Sequence, residues 1–188
     1  MSLINFSDKW VAASVRKNPR KEFLENPVAF LDKLREANKQ AVIQVFDAKC
    51  VISVRQIHAT AVATYLAFKA GTNVSKKFEI ELLVRLAADT QIGRTLDRLG
   101  VDPETREIGC CVMVDGKDLA LKISRDLFQL VGGDDMSESE LKEERRLREA
   151  MKFYGITEKE VESVQAQTRA EAVLLLILER IATLDLKR

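Results

Sequence analysis

Residues 56–101 read QIHATAVATYLAFKAGTNVSKKFEIELLVRLAADTQIGRTLDRLGV, and the fold turns on how they are read. From Gln56 to Ala70 small and apolar residues recur at helical spacing, so the segment predicts a helix, which Gly71 stops. A short basic turn, Asn73–Lys77, follows. Lys77–Ala88 and Thr90–Leu99 read as two further helices, the second ended by Gly100. At about 100° per residue, His58, Val62, Tyr65 and Lys69 share one stripe of the first helix. Ile57, Ala61 and Phe68 lie beside that stripe, toward a core. Ala59, Thr60, Ala63 and Ala67 make the far side small enough for another element to approach closely. His58 is the only histidine, and no nucleophile or metal cluster accompanies it. The stretch therefore reads as a packing and docking unit, with function in what the chain binds.

Outward from this stretch, both strands and helices are predicted. Lys9–Val15 suits a short strand, and Lys17–Glu25, charged and containing Pro19, suits a loop. Asn26-Pro27 opens a helix, with Asn as the cap and Pro at the first helical position. Ala41–Phe46 is β-branched and apolar, hence a strand. Arg106–Val114 is apolar on both faces, which predicts a covered central strand. After Gly116 the chain reads as helical, with capping boxes at Ser137/Glu140, Thr157/Glu160 and Thr168/Glu171. Gly132-Gly133-Asp134-Asp135 reads as a loop. The expected class is α+β, in one domain over residues 1–188. It places a small mixed sheet of three to four strands against a helical layer, with a helical C-terminal half.

Composition narrows the function. The 188 residues carry 30 Lys and Arg against 29 Asp and Glu, a net charge of +1. That balance excludes a generally basic nucleic-acid binder and leaves room for one local patch. The longest apolar run, Ala172–Leu178, is far short of the roughly 20 residues of a membrane helix, and MSLINFSDKW lacks a signal-peptide pattern. Cys50, Cys110 and Cys111 make a poor disulfide framework and, with one histidine, a poor zinc site. The expectation is a cytoplasmic protein with no cofactor, no metal and no membrane association.

Four constellations carry possible chemistry, each with a plain structural reading beside it. His58 and Lys69 flank one edge of a groove, or else His58 is a core-rim histidine bonded to backbone and Lys69 a solvated cation. Asn73-Val74-Ser75-Lys76-Lys77 grips a phosphate or ribose, or is an ordinary turn between helices. Asp89-Thr90-Gln91-Ile92 opens a helix, and an Asp cap there would repel anions. On the last helix, Arg169–Leu184, a core face is formed by Val173, Leu174, Ile177, Leu178, Ile181 and Leu184. Leu175 and Leu176 fall toward the side carrying Glu179, Arg180 and Thr183, which suggests either a partner surface or full burial in a helical layer.

The order of these features resembles a known family. Gln56-Ile-His-Ala, an Ala-rich helix ending Ala-Phe-Lys69-Ala-Gly, Asn73-x-x-Lys76, an acidic helix with paired leucines, Gln91-Ile and Leu99-Gly-Val follow one another. The strand Ile43–Ala48 and the closing Glu179-Arg180-Ile181-Ala182-x-Leu184 join the pattern. Together they resemble the small regulatory subunit of the KEOPS complex, the PRPK-binding protein family, in its archaeal type. One departure is Thr90, where the family usually has Arg before the Gln-Ile pair. The resemblance implies a non-enzymatic subunit of the machinery that makes threonylcarbamoyl-adenosine in tRNA. Such a subunit docks on and stimulates the kinase-like ATPase and binds the single-stranded CCA end of tRNA. Taken with the four constellations, the expected nucleic-acid-binding residues are His58, Lys69, Asn73, Lys76, Lys77 and Gln91, and the expected partner-binding residues are Leu175, Leu176 and Glu179. The alternatives are a stand-alone helical adaptor without RNA binding, or a small enzyme using His58 as general base.

Overall fold

The computed structural model describes residues 1–187, which divide into two compact units. The first comprises Met1–Ala48 with Asp97–Met136, the second Lys49–Leu96 with the chain from Ser137 onward.

The first unit is a sheet with helices. Its strands are β1 (Ser2–Phe6), β2 (Lys9–Lys17), β3 (Val42–Asp47), β4 (Glu107–Val114) and the short β5 (Asp134–Asp135). The order is β1-β2-β4-β3, with β5 paired to the end of β2, and every pairing is antiparallel. The expected mixed sheet of three to four strands is thus an antiparallel sheet of five, inside the expected α+β class. Two strands escape sequence reading for physical reasons. β1 is a half-exposed edge joined to β2 through a two-residue turn whose Ser7 adopts a left-handed φ of 56°. β5 lies in the Gly132–Asp135 segment expected to be a loop, and tertiary contacts hold it in place. Arg16 donates from Nε to the Gly132 carbonyl (2.7 Å) and from its terminal nitrogens to the Gly133 carbonyl and Asp135 (2.8 Å).

β4 is central and buried on both faces, as its two-sided apolarity predicts. On one face Ala12, Ile43, Val45, Ile108, Cys110 and Val112 join a core with Leu31, Leu34, Ile123 and Leu127. Those last four come from α2 (Pro27–Ala37) and α6 (Lys117–Val131). Asn26 caps α2 by accepting from the Ala29 N–H, and α1 (Lys21–Glu25) is a helical turn where the sequence suggested a loop. On the other face, Phe46 lies across the strand from Gly109, where a Cβ would fall 2.1 Å from the Phe46 ring. Glycine is required there for packing rather than for its backbone angles.

The second unit is helical: α3 (Val54–Ala70), α4 (Phe78–Ala87), α7 (Glu138–Leu141), α8 (Glu144–Tyr154), α9 (Glu158–Ser163) and α10 (Arg169–Ala182), closed by a 3₁₀ turn at Leu184–Lys187. Helix α5 (Ile92–Leu99) lies in sequence where one unit gives way to the other. The caps match their sequence signals. Ser53 opens α3, and Gly71 ends it in the left-handed region at φ 68°. Reciprocal capping boxes open α7 and α9. At α10 Thr168 caps the Glu171 N–H, but the Glu171 carboxylate reaches the Gln167 N–H instead, so that box is shifted by one residue. Helix α10 packs on α3, α4, α8 and α9.

Gly109→Ala should destabilise the fold by about 1–3 kcal/mol through overpacking. The double variant Gly109→Ala/Phe46→Leu should be less destabilised than the two single changes summed, as read from denaturant midpoints.

A candidate binding turn and a candidate docking face

Helices α3 and α4 form an antiparallel hairpin whose two ends are fixed by different chemistry. At one end Gln56, fully buried, donates from Nε2 to the Tyr154 hydroxyl (2.8 Å) and to the Cys50 carbonyl (3.2 Å). Tyr154 in turn donates to the Leu86 carbonyl (2.6 Å). The start of α3 and the end of α4 are therefore level, linked through α8. At the other end Phe68 and Phe78 stack with ring centroids 5.1 Å apart and planes 20° from parallel.

The basic turn 71–77 closes that second end. Its conformation is set by Glu81, one turn inside α4 and fully buried. The Glu81 carboxylate accepts from the backbone N–H of Val74 (2.7 Å) and Ser75 (2.8 Å). Asn73 donates its side-chain amide to the Ser75 carbonyl, and the Lys77 N–H donates to the Ser75 hydroxyl. Glu81 is itself paired with Arg85 (3.0 Å), which is 1% exposed and forks onto both Asp185 oxygens at 2.8 and 3.2 Å. A charged, hydrogen-bonded anchor of this kind holds a turn far more firmly than its own backbone preferences do.

On this frame Lys76 and Lys77 are exposed, and Lys69 is exposed with its ammonium 4.9 Å from the Tyr65 ring centre. Lys69, Asn73, Lys76 and Lys77 thus share one end of the hairpin, with half-buried Tyr65 one helical turn back. Cations and an aromatic ring, here Lys69 over Tyr65 with Lys76 and Lys77 exposed on the adjoining turn, are the elements used to hold a single-stranded nucleic-acid end. The amides of Val74 and Ser75 are engaged by Glu81 and are not available to a phosphate.

His58 and Gln91 stand apart from this group. His58 lies 11 residues before Lys69, roughly 16 Å along the helix axis. It is 6% exposed, and neither ring nitrogen has a hydrogen-bond partner among the described residues. The expected groove edge running from His58 to Lys69 is therefore not a continuous open surface. Nor is His58 the backbone-bonded rim histidine of the plain reading. Burial lowers its pKa to about 4, so the ring is neutral at pH 7. Gln91 is exposed beyond the far end of α4, where the Asp89 carboxylate caps its N–H (2.9 Å) and meets Arg94 at 3.4 Å. No cluster of three metal-ligating side chains occurs among the described residues.

On α10 the two candidate leucines part. Leu175 is 40% exposed and Glu179, one turn later, is exposed on the same side. Leu176 is 7% exposed, which corrects the reading that placed it off the core face. A helix enclosed by α3, α4, α8 and α9 buries a wider arc than a helix packed on one side only, and Leu176 falls inside that arc. Sequence reasoning missed Glu81, whose signal is weak: an acidic residue in a first helical turn is ordinary in itself.

The family model described as kinase binding protein CGI-121 matches residues 22–185. A search of curated proteins gives no match.

His58 has a specific acid signature. In the unfolded chain it binds its proton near pH 6.5, in the folded chain near pH 4. As pH falls between these values only the unfolded chain takes up the proton, so stability present above pH 6.5 is lost toward pH 4, by on the order of 3 kcal/mol. Carboxylates with lowered pKa, such as Asp135 and Glu160, contribute losses only below their unfolded values of 3.8 and 4.5. Denaturant unfolding at pH 7, 6 and 5 should therefore show a decline that His58→Leu flattens.

Proposed function

This chain belongs to the CGI-121 family of kinase-binding proteins, and on that premise we propose that it is the non-catalytic regulatory subunit of the KEOPS complex. In this role it docks on the kinase-like ATPase of the threonylcarbamoyl-adenosine machinery, stimulates it, and helps recruit tRNA through the CCA end. The observation that carries the tRNA part is the grouping of Lys69, in the last turn of α3, with Asn73, Lys76 and Lys77 on a turn that Glu81 holds in one shape. A preformed cationic turn beside Tyr65 binds a flexible strand without first having to order itself. The near-neutral net charge is compatible, because the cations needed are local. Thr90, in place of the family's usual Arg, adds no charge beside Asp89, so His58 and Gln91 are secondary contacts at most in this reading.

Docking on the ATPase is assigned to the outer side of α10, with Leu175 and Glu179 at its centre. Leu176 then supports the face from beneath. The reading of His58 as a general base is disfavoured by burial of both ring nitrogens and a pKa of about 4, which leaves a weak base without access to substrate. The stand-alone adaptor remains the alternative for the tRNA part alone.

Charge reversal at Lys69 and Lys77 together should weaken binding of intact tRNA while leaving the melting temperature unchanged. It should also flatten the salt dependence by roughly 0.7–1 unit of slope per lost contact. Trimming the CCA end should weaken the wild type and have little further effect on the variant. Equal affinity for intact and trimmed tRNA would favour the adaptor.

The two leucines separate docking from folding. Leu175→Glu should melt normally and bind the ATPase more weakly by about 2 kcal/mol or more. Leu176→Ala should instead lose about 2–4 kcal/mol of folding stability. A collapsed melt for Leu175→Glu would move the docking face away from α10.

A further inference from the structure

The anchor beneath the basic turn does not end at Glu81. It continues through Arg85, buried to 1%, to Asp185 in the 3₁₀ turn that follows α10. Three links form a single line: the Val74 and Ser75 amides on Glu81, Glu81 on Arg85, and Arg85 on both oxygens of Asp185. Two of its members are enclosed. The third has a side chain 35% exposed, so a partner can reach the buried pair from the Asp185 end. Sequence separation makes the link strongly non-local, since Arg85 and Asp185 are 100 residues apart.

We infer that Asp185 and Arg85 are positioning residues for the basic turn, and that the chain segment after α10 and the tRNA-binding turn are energetically coupled through Glu81. This rests on the reading of the turn as the tRNA site. Charge held in a closed space makes the coupling. Glu81 numbers one guanidinium and two amides among the partners of its carboxylate. Arg85 divides its guanidinium between two carboxylates. Remove the Asp185 charge and Arg85 has one buried anion left, so it competes harder for Glu81 and draws the carboxylate away from the amides. The turn then samples other shapes, and Lys76 and Lys77 lose their fixed places. Because coupling is reciprocal, a ligand that orders the turn also strengthens the hold on Asp185. A partner that covers the end of α10 and engages Asp185 thereby alters the tRNA site without touching it.

The test uses the full chain with Asp185→Asn, which keeps the shape and removes the charge, and Asp185→Glu as the conservative control. Amide hydrogen exchange is measured at Val74 and Ser75, and at Ala150 and Met151 in α8 as internal references. The proposal expects exchange at Val74 and Ser75 to quicken by about tenfold in Asp185→Asn with the α8 amides unchanged, and Asp185→Glu to restore much of the protection. It also expects intact tRNA to bind about three- to tenfold more weakly, with that loss abolished in a Lys76→Ala/Lys77→Ala background. Unchanged exchange at Val74 and Ser75, or equal quickening at all four amides, overturns the proposal. Selective quickening with no change in tRNA affinity supports the anchor and overturns the tRNA reading on which its role rests.

Discussion

A fully buried carboxylate beside a fully buried guanidinium governs the helical unit. Glu81 and Arg85 are 0% and 1% exposed, and two charges so enclosed are tolerated only when their hydrogen-bonding capacity is met. Here Val74, Ser75 and Asp185 meet it. The requirement fixes a turn, a helix and the segment after α10 relative to one another. Removing one partner of such a pair costs about 3–5 kcal/mol, while exposed pairs such as Arg145–Glu149 contribute about 0.5 kcal/mol or less. The decisive electrostatics of this unit are therefore inside it; along α8 most charges are a solvated face, whereas Arg146, 1% exposed, donates to the Val51 carbonyl at 2.6 Å.

From this constraint the functional reading follows in order. A charged anchor below the turn leaves its lysines outward. The aromatic pair Phe68–Phe78 closes the end of the hairpin beneath them, and the Gln56–Tyr154–Leu86 relay fixes the opposite end. Leu175 and Glu179 face outward on α10, and that face is where docking of the kinase is proposed. The sheet unit has its own core and its own anchor, in which Arg16 ties the Gly132–Asp135 segment back to β2.

Much of the fold was legible in the sequence because its signals are local. The Asn26-Pro27 start, the Gly71 stop, the capping boxes at Ser137 and Thr157, and the two-sided apolarity of β4 each act within a few residues. The features that were not legible depend on distant residues. β5 exists because Arg16 reaches across to it, and Glu81 is an anchor only because Asp185, far along the chain, completes its network. The candidate site was partly legible. Lys69, Asn73, Lys76 and Lys77 fall together because they are close in sequence around one turn. His58 was grouped with them by wheel angle, which takes no account of distance along the helix axis or of what covers that end. Leu176 was misplaced for the same reason: a wheel gives direction, and the number of neighbours decides how wide the buried arc becomes.

The most direct measurement of the central claim is an amide NMR titration of the chain with a short single-stranded RNA ending in CCA, against one of equal length lacking that end. The account predicts shifts concentrated at residues 65–78 for the CCA strand and much weaker shifts for the control. Shifts of equal size with both strands, or shifts centred on other helices with residues 65–78 unmoved, would contradict it.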